Sequence, residues 1–117
     1  HPGAASAEYA KALKASPRDP IAASRYARSA LASGRPKEAI APLMRTLGQY
    51  PNHAPALSSL ATAMYRTSRS DLAIDAASRA IAQNPFDPQP HCVLSKLGVM
   101  QADYEAGVCE RLGGMRE

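Results

Sequence analysis

The chain has 117 residues with no Trp, a single Phe and a formal net charge of +4. That length supports one small domain with one continuous core, and scarce aromatic and β-branched residues beside abundant Ala, Leu, Arg, Lys and Ser favour helices over strands. The basic residues are dispersed, which excludes a polybasic nucleic-acid arm, and no apolar run approaches the roughly 20 residues of a membrane span.

In chain order, His1-Pro2-Gly3 reads as a processing remnant, and Ala4–Pro17 ("AASAEYAKALKASP") as a single helix. Asp19-Pro20 then supplies an N-cap acid and a proline suited to the first helical position. The helix that follows ends at Gly34, a residue fitted to a left-handed turn, and Pro36 opens the next helix, which runs towards Pro51. Beyond it, Leu57, Leu60, Ala61 and Met64 stand at i, i+3, i+4 and i+7 on one helical face. "RTSRSD" interrupts, and Ala73, Ala77 and Ala80 mark a further amphipathic helix with Ile74 and Ile81 beside them. "NPFDPQP" (Asn84–Pro90) breaks the chain again, because proline in a helix interior costs roughly 3 kcal/mol. Asp87-Pro88 repeats the Asp19-Pro20 signal, and Asp103 is a suitable N-cap for a last helix starting at Tyr104.

These elements recur. Pro17, Pro51 and Pro85 are spaced by 34 residues (51 − 17 = 34; 85 − 51 = 34). Ala5, Ala39 and Ala73 share that spacing, as do Tyr26, Leu60 and Leu94, and the small residues Gly34, Ser68 and Ala102. Each unit is two helices joined by a short loop, which makes them antiparallel neighbours. Ala27, Ala39, Ala61 and Ala73 fall where the helices of a pair would cross, and a bulky side chain there would hold them apart. The prolines punctuate stacked hairpins.

This pattern resembles the tetratricopeptide repeat, best in "PKEAIAPLMRTLGQYP" (Pro36–Pro51) and again in "SDLAIDAASRAIAQNP" (Ser70–Pro85). The resemblance covers about Ala5 to Leu112. It implies an all-α fold: a right-handed superhelix of antiparallel helix pairs, an α-solenoid of about seven helices. The second helix of a leading repeat would span 4–17, with repeats at 20–53, 54–87 and a truncated 88–117. The pattern departs from the family where Ala23, Leu57 and His91 replace an early aromatic, and where Leu43, Ala77 and Arg111 replace a later one. The third unit departs most. The unpaired leading helix and the Gly113-Gly114 pair near the end lead us to expect a segment of a longer repeat array or multidomain protein.

The sequence offers no phosphate-binding glycine loop, and its three histidines lie far apart. His91 reads as a core residue and His53 as a solvated turn residue. Cys92 and Cys109 lack zinc-ligand spacing. In strict 34-residue register they face opposite sides of their hairpin, so no disulfide is expected. Asp103 and Glu105 point apart on a helix and form no carboxylate pair. No catalytic residue, metal or cofactor is expected.

The remaining candidate is surface. Stacked hairpins curve, and the first helix of each pair lines the concave side. The first pair places Ser24, Arg25 and Arg28 there; the second Ser59, Thr62, Tyr65 and Arg66; the third Val93, Lys96 and Met100. This lining suits a protein or peptide partner with some acidic character. The Lys/Asn/Arg carboxylate clamp of chaperone-binding family members is largely absent, since Ser24, Arg28, Ser59, Gln89 and Val93 stand at positions of that set. RNA would call for stacking aromatics among the basic residues. Only Tyr65 fits, so no nucleic-acid partner is expected.

The reading is therefore a non-catalytic interaction scaffold, for example within a bacterial assembly or secretion system. Its alternative is an accessory arm of a larger enzyme such as a transferase. Self-association through apolar terminal helix faces is a further expectation. Two cysteines fix no compartment; the reading leans to the cytoplasm and leaves the periplasm open.

Overall fold

The structure, a computed structural model, describes residues 2–98 and 102–112, with the backbone alone at 2–6 and 102–106. The described residues form seven helices and no strand: α1 (Pro2–Ala15), α2 (Pro20–Ala32), α3 (Pro36–Gln49), α4 (Ala54–Arg66), α5 (Ser70–Gln83), α6 (Pro88–Lys96) and α7 (Ala102–Arg111). The fold is an all-α solenoid. Each helix packs on the next in sequence, and the first helices of successive pairs also pack, α2 on α4 and α4 on α6. The second helices do not. No α-carbon of α1, α3, α5 or α7 comes within 8 Å of one in the neighbouring second helix among the described residues. Stacking is thus tight along α2, α4 and α6 and open on the opposite side, which curves the rod.

Local sequence sets the boundaries. The junctions carry the same backbone hydrogen bond three times, 34 residues apart: Asp19 N to Ser16 O (3.1 Å), His53 N to Tyr50 O (3.0 Å) and Asp87 N to Asn84 O (3.4 Å). After each junction a side chain caps the new helix. Asp19 accepts from Ile21 N at 2.9 Å and Asp87 from Gln89 N at 3.1 Å. In the middle junction His53 takes that part, its Nδ1 accepting from Ala56 N at 3.3 Å. The expected solvated turn residue is therefore a half-buried helix cap.

Loops inside the hairpins close in another way. Arg35 N bonds Ala30 O (2.9 Å) and Gly34 N bonds Leu31 O (3.2 Å), the paired bonds of a left-handed helix stop. Arg69 and Ser68 repeat them on Met64 O and Tyr65 O at 2.8 and 3.2 Å. Gly34 takes φ +74°, while Ser68 holds φ +63° with a side chain, a conformation that disfavours L-residues by about 1–2 kcal/mol.

The core is made by close approach. Ala27, Ala30, Ala39, Ala61, Ala73 and Ala77 are fully inaccessible, as are the larger Leu43 and Leu57. A smaller apolar cluster of Leu13, Ala22 and Ala23, with Tyr26 against it, joins α1 to α2. His91 is buried, as its register implies, and its Nε2–H donates to Pro85 O at 2.9 Å. Two arginines tie successive units together across the stack. Arg66 donates to Leu31 O (2.7 Å) and Arg79 to Pro51 O (3.0 Å).

The third pair corrects the sequence reading. Its loop turns at Gly98, φ +65°, where the strict period would place the turn at Ala102. Helix α6 is consequently one turn shorter than α2 and α4, and α7 begins at Ala102, so Asp103 lies inside a helix rather than capping one. Counted from their helix starts, Val108 and Cys109 stand where α5 has Ala76 and Ala77, and all four are buried. A two-residue offset rotates a helix by about 200°, which turns Cys109 from the outer face to the inner one. Cys92 and Cys109 accordingly form a disulfide, with α-carbons 5.1 Å apart. The expectation of opposed, unbridged cysteines fails because the 34-residue period does not persist past Lys96. The Gly113-Gly114 pair lies outside the described residues.

Three expected outcomes follow from this packing. Ala73→Leu should destabilise the chain by about 1–3 kcal/mol through overpacking at the α4–α5 crossing, read as a lowered Tm; an unchanged Tm would count against that contact. Replacing the disulfide by Cys92→Ser with Cys109→Ser, which opens a loop with a sequence separation of 17, should lower stability by roughly 3 kcal/mol in chemical denaturation. Pro42 sits buried inside α3 and gives Glu38 O no N–H, whereas the matching position of α5 is Ala76. Restoring that bond against the loss of ring contacts, Pro42→Ala should raise stability by about 1–2 kcal/mol.

Candidate functional site: a groove along the first helices

A groove of roughly 440 Å³ runs along the α2–α4–α6 side. Arg28, Leu31 and Ala32 of α2 line one side. Ala54, Pro55, Ser58, Ser59, Thr62 and Arg66 of α4 lie between, and Asn84, Asp87 and Gln89 line the far side at the α5–α6 junction. Its position follows from the stacking. Helix α4 packs against both α2 and α6, while α2 and α6 do not pack on each other, so α4 is the floor of a trough.

Helix periodicity brings the α4 residues to one face: Pro55, Ser59, Thr62 and Arg66 recur at spacings of three and four. Ser58, Ser59 and Thr62 are buried, and Thr62 Oγ1 donates back to Ser58 O at 3.3 Å. Arg66, in the last turn of α4, spans to α2, where its guanidinium meets the Leu31 carbonyl. Cations at helix C-termini are favoured by the aligned peptide dipoles. Arg28 is exposed and makes no hydrogen bond or ion pair among the described residues.

On the far side, Asn84 Oδ1 accepts from Phe86 N at 3.1 Å and Asp87 caps α6. The Gln89 side-chain oxygen is buried there without a hydrogen-bond partner among the described residues. The lining thus sets two cations against an acceptor-rich wall.

Of the ten residues expected on the concave side, Arg28, Ser59, Thr62 and Arg66 line the groove. Arg25 is exposed outside it. Ser24 is buried, its hydroxyl unpaired among the described residues. Tyr65 packs half-buried on the main core, and Val93 belongs to that core. Lys96 is half-buried at the end of the shortened α6, and Met100 lies outside the described residues. Asn84 and Asp87 were legible only as boundary signals, and Gln89 only as a position of the family's carboxylate clamp. The spacing of Pro55 and Gln89, again 34 residues, would have placed the latter on the groove face.

Among the described residues no three His, Cys, Asp or Glu side chains gather as a metal site, and no helix is long and apolar enough to cross a membrane.

The family profile described as tetratricopeptide repeat matches residues 1–54 and again 27–88. No curated protein matches the sequence. Among solved structures, the fold is similar to that titled "MamA RS-1 ArsTM double mutant", with a TM-score of 0.76 and 22% identity over 95% of this chain and 65% of that one. The chain therefore spans just under two thirds of that structure's length, and at this identity the likeness is one of fold. Repeating junction bonds, inaccessible alanines at the helix crossings and a family match over most of the sequence agree: the chain belongs to the tetratricopeptide repeat family.

Proposed function

We propose that the chain is a non-catalytic interaction scaffold that holds a segment of a protein partner in the α2–α4–α6 groove. The observation that carries this reading is the placement of Arg28 and Arg66 together on a trough floored by the small side chains Ser59 and Thr62. A polypeptide segment could lie along such a floor, and acidic groups on it would meet guanidinium donors able to form charge-assisted hydrogen bonds. The lining supplies hydroxyls but no imidazole or thiol, which supports binding over chemistry. Of the residues expected to contact the partner, Arg28, Ser59, Thr62 and Arg66 are those we assign to the contact.

The test is retention of a randomised dodecapeptide library by the immobilised chain. The wild-type protein should retain peptides enriched in Asp and Glu. Arg28→Glu should reduce their retention by about tenfold, equivalent to roughly 1.4 kcal/mol, without altering helical content. Ser78→Glu, an exposed change on α5 outside the groove, should leave retention intact. Equal retention by the Arg28→Glu protein would remove the groove from the function.

A further inference from the structure

We infer that the groove selects a dipolar segment, one with an acidic residue towards Arg28 and Arg66 and a basic residue some four positions away towards Asp87 and Gln89. This rests on the groove-binding reading above and adds the chemistry of the second wall.

The two walls differ in kind. Towards α2 the groove offers cations, Arg28 without a partner among the described residues and Arg66 seated on Leu31 O at 2.7 Å. Towards α6 it offers acceptors. Asp87 is the one carboxylate among the described lining residues, and a single oxygen of it, Oδ1, receives the capping bond from Gln89 N at 3.1 Å. Beside it the Gln89 oxygen is buried with no donor among the described residues. A buried acceptor left unpaired is unfavourable, so an occupant that brings N–H groups to this corner gains more than one that brings none. A uniformly acidic segment would set its second carboxylate against Asp87 and offer Gln89 only its backbone N–H groups. An ammonium or guanidinium answers both at once.

The spacing follows from the packing. The walls lie on either side of α4, and neighbouring helix axes are about 8–10 Å apart. The wall helices are therefore roughly 16–20 Å apart, and side chains reaching inward shorten the gap. An extended segment advances about 3.3 Å per residue, so the inter-axis span alone corresponds to about five to six residues. Side chains a few Å long reaching in from both walls bring the opposite charges about four residues apart.

The randomised dodecapeptide library provides the experiment, read now for pairs of residues. Peptides retained by the wild-type chain should show about tenfold enrichment of acidic–basic pairs spaced by three to five residues, relative to acidic–acidic pairs. Either order of the two charges satisfies this, because a segment can lie in either direction. Asp87→Asn keeps an N-capping side chain and removes the charge. It should abolish selection of the basic residue while leaving selection of the acidic one. Gln89→Leu should weaken the basic preference in the same direction. Acidic peptides lacking basic residues, retained equally by wild type and Asp87→Asn, would overturn the dipolar inference and leave the groove reading intact. No retention at all, or retention indifferent to Arg28→Glu, would overturn both.

Discussion

Everything in this fold depends on how near two helices can come where only a methyl group separates them. Ala27, Ala39, Ala61 and Ala73 are inaccessible at the crossings, and with these side chains the core is made of backbone proximity more than bulk. Helices held so closely exclude water along their length, which lets a chain with one Phe and no Trp build a continuous interior. The requirement is strict because dispersion contacts fall away steeply with separation. The junctions serve the same end. Each proline-marked turn fixes where a helix stops, so the next alanine arrives at the height where its partner waits.

That logic also explains which features the sequence disclosed. Proline spacing, the Asp19 and Asp87 caps and the alanine columns are local or periodic signals, and each reappears in three dimensions. Two classes of feature escaped. One is the change of period after Lys96. Gly98 was available to end α6 early, but a glycine at an unexpected column looks no different from any other until neighbouring helices choose the turn. Once it is chosen, a two-residue offset decides which cysteine face is inside, and the Cys92–Cys109 bridge follows. The other class is dual use. Arg66 reads as a partner-facing cation of the concave side, yet tertiary packing also directs it to a carbonyl of α2. Val93 reads as a groove residue, yet it is buried in the core, as its register partner Ser59 is buried in α4.

The groove inherits its polarity from the same architecture. Its cations stand at the C-terminal halves of α2 and α4, where carbonyl groups accumulate, and its acceptors at the N-terminus of α6, where a carboxylate is needed to satisfy backbone N–H groups. Asp87 is therefore present first for helix capping, and its electrostatic contribution to the trough comes with it. In this region structural and recognition roles fall on the same side chains, which is why a list of exposed residues would have been a poor guide to the lining.

The absence of close α-carbon approach between successive outer helices, among the described residues, has a mechanical meaning. A rod packed along one edge and, among the described residues, gapped along the other has its softest bending mode about the packed edge, since flexing compresses or widens the gaps and strains chiefly the α3–α4 and α5–α6 contacts. Such flexing moves α2 and α6 towards or away from each other like the jaws of a clamp pivoting on α4. The aperture can then conform to the thickness of what it holds at small elastic cost, while the chemical character of each jaw stays fixed.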